Sequence, residues 1–256
     1  MLHWIDDDTP LPPTHLAMGS GDEAPGLLAA GGHVTVRRLE EAYRHGVFPW
    51  FSPGQPALWW SPDPRMVLVT DEFRLAPSLK KTLRRFLRTP GCEVRLDSAF
   101  EHVISACACA PRAGQQGTWI LPAMIDAYVQ WHRAGRAHSV ETRIDGQLVG
   151  GLYGVNIGRM FFGESMFSQR SDASKIALAA LVAFCRAHGV PLIDCQQNTA
   201  HLASFGAREI TRTEFEAHLA LTLPQDLVDK PGDVWSYDAA LWQHLSLQAL
   251  STESSV

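Results

Sequence analysis

The sequence predicts an α+β protein whose length suits one large domain or two small ones. Three observations carry that prediction. The chain has 256 residues and is 46% hydrophobic, enough for a core of ordinary size. Its first quarter is punctuated by Pro, Gly and Asp, which breaks it into short pieces. Beyond, the apolar period is helical, changes to two at Ser139 and returns to helical at Ser171, so a sheet and its covering helices alternate.

Segment 1–32, with Pro10, Pro12, Pro13 and Pro25, reads as an irregular arm. Thr35 as N-cap, Leu39, Ala42 and Tyr43 at helical spacing and Gly46 as terminator predict a helix over about 36–45. Two aromatic clusters follow beside turns, Phe48–Phe51 and Leu58–Trp60, then a strand at Met66–Val69. Between Arg74 and Arg88 there are six basic side chains and no acidic one, while Leu79, Leu83 and Phe86 keep a helical period. This is a basic amphipathic helix. Further helices fall at about 98–109 and 122–134, the latter opened by Pro122 and closed by Gly135. Ser139–Ile144 and Gln147–Val155 form a hairpin around Asp145-Gly146 as a type I′ turn, with a third strand at Met160–Phe167. Ser171–His188 is a long helix stopped by Gly189. A strand at Pro191–Gln196, a short helix at Ala200–Phe205 and a last strand at Glu209–Thr213 complete the order.

Three antiparallel strands, a long helix, a strand, a short helix and a strand form the order of the acyltransferase fold typified by the GCN5-related N-acetyltransferases. Those enzymes seat the pyrophosphate of acyl-CoA on a Gly-rich turn that opens the long helix. Here the turn reads Ser168-Gln169-Arg170-Ser171-Asp172-Ala173, with no glycine and with an Asp that repels phosphate. The order points to acyl transfer, and the turn points away from CoA as donor.

Composition excludes other classes. Residues 1–30 hold no Lys or Arg and no long apolar run, which leaves no secretory signal, and no stretch reaches membrane-spanning length. Five cysteines in such a chain predict a reduced, cytoplasmic protein without disulfides. The net charge of −5 is a sum of unlike parts: residues 1–36 carry −5, the segment from Pro224 onward −4, and residues 37–223 +4. The body is mildly basic and its ends are acidic, which permits a nucleic-acid partner held locally.

Polar residues in apolar strands mark the candidate site. In strand 191–196, Asp194 and Gln196 share one face, where a carboxylate and a carboxamide can orient and deprotonate a nucleophile. A strand-end cap is the alternative. Glu164 stands in the apolar run Phe161–Phe167, either ion-paired with a basic residue such as Lys175 or receiving a cationic substrate. Ser165 lacks the second glycine of a nucleophile elbow. Trp50 and Trp119 lie beside turns where they can stack on a base, whereas at least one of Trp59 and Trp60 belongs to the core. Cys107-x-Cys109, with no second pair, does not make a zinc site, and no metal or cofactor is expected.

Several strings together resemble the leucyl/phenylalanyl-tRNA–protein transferases over about Gly26 to Leu219. They are Gly26–Ala29, Gly46–Gly54, Leu58–Arg65, Gly117–Ile120, Ala137–Glu141, Val149–Gly154, Gly163–Ser168 and Leu192–Gln196. The resemblance implies a small N-terminal domain, over residues 1–71, packed on an acetyltransferase-like one over residues 72–256. It also implies transfer of Leu, Phe or Met from charged tRNA to the N-terminal amine of proteins beginning with Arg or Lys, which marks them for N-end rule degradation. By position, Trp50 and Trp119 would stack on the terminal adenosine of the tRNA. Leu152, Phe161, Met166, Leu178, Leu181 and Ile193 would line the donor side-chain pocket, with Leu152 and Leu181 replacing the Met and Phe of the best-known members. Gln196, held by Asp194, would orient the amine while Asp194 relays its proton, and Glu164 would bind the acceptor's cationic side chain. Lys80, Lys81, Arg84, Arg85 and Arg88 would meet tRNA phosphates. No metal or other cofactor is needed, and a monomer is expected. The rival readings are a CoA-dependent N-acyltransferase and a non-catalytic RNA-binding module.

Overall fold

A computed structural model describes residues 2–110, 118–223 and 235–247. Gly117 of the Gly117–Ile120 string, and Asp226, Asp229, Asp233 and Glu253 of the acidic tail, lie outside these. Two sheets organise the rest. A four-stranded sheet in the order β1-β2-β4-β3 comprises β1 (His3–Ile5), β2 (Leu27–Gly31), β3 (Phe48–Pro49) and β4 (Leu58–Trp60). The helix α1 (Val36–Arg44) lies between β2 and β3 in the chain, and the Thr35 hydroxyl accepts from Arg38 N–H as the capping pattern predicts. The acidic arm is tied to this helix: Asp7 accepts from His33, and backbone carbonyls of Asp6, Asp7 and Thr9 accept from Arg38.

The large sheet has seven strands in the order β11-β5-β10-β9-β8-β7-β6. They are β5 (Arg65–Val69), β6 (Cys92–Leu96), β7 (Ala137–Ile144), β8 (Gln147–Ile157), β9 (Met160–Ser168), β10 (Leu192–Gln196) and β11 (Arg208–Ile210). Strand β5 pairs with β10 and β11, so the division between the sheets falls at Ser61–Pro64, ahead of residue 71. The hairpin β7–β8 turns at Asp145-Gly146, both at positive φ, as a type I′ turn demands. Helix α5 (Ala173–Ala187) crosses over from β9 to β10, the one parallel pair of this sheet among the described residues.

Each face of the sheet has its own apolar cluster. On one, α5 packs with α2 (Pro77–Arg88) and with the 3-10 stretch Ala239–Leu245. On the other lie α1, α3 (Phe100–Cys109), α4 (Pro122–Arg133) and the small sheet. The helices α6 (Ala200–Ser204) and α7 (Arg212–Thr222) flank β11. The expected strand over Glu209–Thr213 is thus cut short at Ile210, because Thr211 and Glu214 form a capping box that starts α7.

Candidate active site

The parallel ladder between β9 and β10 pairs Met160–Phe162 with Leu192–Asp194 and stops there. Beyond it β9 runs on to Ser168 along β8 alone, and the two strands part. Both strands are irregular at this point. Tyr153 pairs with Ser165 and Gly154 with Gly163, so Glu164 is the extra residue of a bulge. Strand β10 bulges between Asp194 and Gln196, and Gln196 takes φ +60°. Strict alternation fails here: the Asp194 carboxylate meets the backbone N–H of Gln196, and the Gln196 carboxamide meets Glu164 on the face that carries α1 and α4.

Three donors converge on Glu164. Its Oε1 accepts from Gln196 Nε2 at 2.8 Å and from the Tyr43 hydroxyl at 2.5 Å, and its Oε2 accepts from the Tyr128 hydroxyl at 3.1 Å. The two hydroxyls lie 2.5 Å apart. Burial pushes the Glu164 carboxyl up to about 7, against the tyrosine hydrogen bonds that pull it down. Burial and the Glu164 charge raise both tyrosines well above their ordinary value, so they remain donors. Lys175 is elsewhere, bonded to Asp172 at 2.7 Å, and is not the partner of Glu164. With Nε2 given to Glu164, Oε1 of Gln196 is the acceptor that remains for an incoming N–H.

Asp194 is fully enclosed. Its Oδ1 accepts from Arg65 Nε at 2.8 Å and from Gln196 N–H at 2.9 Å, and its Oδ2 from Arg65 Nη2 at 2.7 Å. No substrate atom reaches a side chain with 0% exposure. Asp194 thus meets Gln196 through its backbone N–H and has no exposed side-chain surface of its own.

The six apolar residues expected at the donor pocket belong to the cluster on the other face, under α5: Leu152, Phe161, Leu178, Leu181 and Ile193 are buried and Met166 is half-buried beside them. Gly154 makes room for them. A Cβ there would lie 2.5 Å from Phe161 Cε1 and 2.3 Å from the carbonyl oxygen of Phe162. Trp235, unforeseen in the sequence reading, packs its ring 5.7 Å from that of Phe161 and stacks on His138 at 3.8 Å. Trp50 and Trp119 are half-exposed on the rim of the opposite cluster, with Trp50 edge-on to Trp60 at 5.5 Å, while Trp59 is wholly buried.

Lys80, Lys81, Arg84, Arg85 and Arg88 line one groove of about 490 Å³ on α2. That helix packs Leu79, Leu83 and Phe86 into the α5-side cluster, so the basic surface lies on the donor-pocket side of the sheet, away from the tryptophans. Arg74, in the predicted helix, precedes its first turn. The start of α5 is occupied by its own side chains: Asp172, at φ +64°, accepts from Lys175 and from Thr82 at 3.3 Å. Its carboxylate makes no hydrogen bond to the helix N–H groups, yet puts a negative charge beside the turn that opens α5. The Ala137–Glu141 string is structural, since Glu141 accepts from Ser98 and Ala99 at the start of α3 and Asp97 accepts from His138. Among the described residues no three His, Cys, Asp or Glu side chains converge as metal ligands, and no helix is long and apolar enough to cross a membrane.

Sequence reasoning missed Tyr43, Tyr128 and Arg65. The first two read as helical core positions, and their hydroxyls were the only cue. Arg65 had a signal, a lone cation at the head of the apolar strand Met66–Val69.

Sheet order and crossover helix are those of an acetyltransferase-like fold. Residues 67–220 match the family described as Leucyl/phenylalanyl-tRNA protein transferase, and residues 32–63 match its N-terminal domain. Proteins named leucyl/phenylalanyl-tRNA–protein transferase from Leptothrix cholodnii and Methylibium petroleiphilum are each 62% identical to this chain. The alignments cover 96% of it and 95% and 92% of theirs. The chain belongs to the leucyl/phenylalanyl-tRNA–protein transferase family and is an aminoacyltransferase. Among solved structures, a GCN5-related N-acetyltransferase from Kribbella flavida aligns over 66% of this chain and 58% of its own, at 12% identity and TM-score 0.32.

Proposed function

We propose that this protein moves Leu, Phe or Met from charged tRNA to the N-terminal amine of proteins beginning with Arg or Lys, marking them for N-end rule degradation in the cytoplasm. It acts as a monomer, without metal or other cofactor. The observation that carries the reading is the buried carboxylate–carboxamide pair, Glu164 with Gln196, at the parting of β9 and β10.

The reaction is an ester aminolysis, downhill without ATP. An α-amine with pKa about 7.7–8.0 is partly neutral near pH 7. Gln196 Oε1 accepts from its N–H and aims its lone pair at the ester carbonyl; as the C–N bond forms the ester C–O bond breaks, and the amine's proton ends on the released tRNA hydroxyl. Asp194 works through Gln196, holding its backbone. Glu164, as carboxylate, receives the cationic side chain of the acceptor's first residue, and the tyrosines orient it. On the other face the apolar pocket selects the donor side chain by volume, which tolerates Leu, Phe and Met alike. Trp50 and Trp119 stack on the terminal adenosine and the α2 cations meet phosphates. Asp172 at the start of α5 favours an aminoacyl ester over acyl-CoA as donor.

The test uses purified protein, labelled Leu-tRNA or Phe-tRNA, and peptides beginning with Arg, Lys or Ala. Product is expected with Arg and Lys. Equal transfer to the Ala peptide would refute the acceptor assignment, and acyl transfer from CoA without use of charged tRNA would refute the donor.

A further inference from the structure

The geometry points to Arg65 as a positioning residue of the transfer reaction, acting on the amine through Asp194 and Gln196. Arg65 heads β5 with 1% exposure. Every side of its guanidinium is occupied. Nε and Nη2 hold the two oxygens of Asp194 as a fork at 2.8 and 2.7 Å, and Nη1 donates to the carbonyl of Gly46 at 3.0 Å. The rings of Phe48 and Phe215 each lie 4.7 Å from its central carbon. These contacts come from the small sheet, from β10 and from α7, so Arg65 is registered against three parts of the molecule at once.

What it fixes is the backbone that presents Gln196. A left-handed conformation costs a non-glycine residue roughly 1–2 kcal/mol, so something must hold it. The holding contact is Gln196 N–H to Asp194 Oδ1, on an oxygen that Arg65 already grips. Stability alone does not call for this arrangement. A buried ion pair is often matched or surpassed by apolar side chains of similar volume, because both charges lose their water. A bidentate guanidinium–carboxylate fork adds direction, which an apolar pair lacks. The chain Arg65, Asp194, Gln196 therefore sets where the carboxamide oxygen stands, on which amine attack depends.

The inference rests on the proposed role of Gln196, and the experiment separates the two. Arg65→Met with Asp194→Leu removes both charges together and leaves neither orphaned. Arg65→Lys keeps the charge and loses the fork, and serves if the double variant does not fold. Each is measured with Leu-tRNA and an Arg peptide, alone and in a Gln196→Ala background. For the folded double variant, kcat should fall about 10- to 100-fold, the scale of a small misplacement, with KM for the charged tRNA within about twofold. Arg65→Lys should lose roughly fivefold or more in kcat with the same KM. In the Gln196→Ala background both changes should cost less than about twofold, since the route they act through is gone. Wild-type kcat in either folded variant, or the same loss in both backgrounds, would overturn the role of Arg65 while leaving that of Gln196. Wild-type kcat in Gln196→Ala alone would overturn both.

Discussion

Replacing Glu164 by glutamine tests the charge at the centre of the site, and the size of the effect follows from the structure. The carboxyl is buried and titrates at about 7 in the folded protein, against an ordinary value of 4.5. A folded-state pKa raised above the unfolded one means that the native protein holds a proton which the unfolded chain has released. The associated stability is present in full below about pH 4.5 and is lost as pH rises through 7. Between pH 5 and pH 8 that loss amounts to roughly 2–3 kcal/mol. A glutamine in its place would not titrate. It would also fit the network: its Oε1 still accepts from Gln196 and Tyr43, and its amide N–H donates to the Tyr128 oxygen once that hydroxyl turns toward Tyr43. Chemical unfolding of both proteins at pH 5 and pH 8 should therefore show Glu164→Gln gaining about 2–3 kcal/mol on wild type between the two conditions. Its transfer activity should move the other way. A charge-assisted contact is worth about 1.5–3 kcal/mol, so KM for an Arg peptide should rise roughly 10- to 150-fold with KM for charged tRNA unchanged. A stability difference independent of pH would show that Glu164 ionises like an exposed carboxylate and refute the burial argument. An unchanged KM for the Arg peptide would refute the acceptor role.

Tyr43→Phe removes a donor that holds the Glu164 carboxyl down, so the pH midpoint of Arg-peptide KM should move upward by roughly one unit in steady-state assays. Trp50→Ala and Trp119→Ala should each raise KM for charged tRNA by about 5- to 150-fold, the equivalent of one lost stacking partner, with kcat nearly unchanged. Neutralising Lys80, Lys81 and Arg84 together should flatten the dependence of tRNA affinity on salt by about two to three in log–log slope, read from binding at about 50 to 200 mM salt. An unaltered slope would place the phosphate contacts elsewhere.

Much of the architecture is written locally. The Asp145-Gly146 turn and the alternation around it specify the β7–β8 hairpin, and the apolar stripe from Ala173 to Phe184 specifies α5, because period and turn chemistry need no distant partner. Strands of two to five residues in the small sheet carry too little pattern to be read alone and exist through pairing with one another. Helix α7 was hidden for another reason. Thr211 and Ile210 resemble the end of a strand, although Thr211 and Glu214 already spelled a capping box.

The candidate site divides in the same way. Asp194, Gln196 and Glu164 stand out in the sequence because a polar side chain in an apolar strand has no cheap alternative to a partner. Which partner it finds is decided by folding: Arg65 is 129 residues from Asp194, and Tyr43 is 121 residues from Glu164. Likewise, composition announces a basic helix, but only the sheet puts it on the same face as Leu152, Phe161 and Ile193, with Trp50 and Trp119 on the other. Order along the chain was enough to single out Asp194, Gln196 and Glu164 as polar residues in apolar strands, since misfit is a local property. That Glu164 is held by hydroxyls and a carboxamide, and that Asp194 is sealed against the backbone N–H of Gln196, came with folding, since burial and charge pairing arise when distant strands and helices close around a common point.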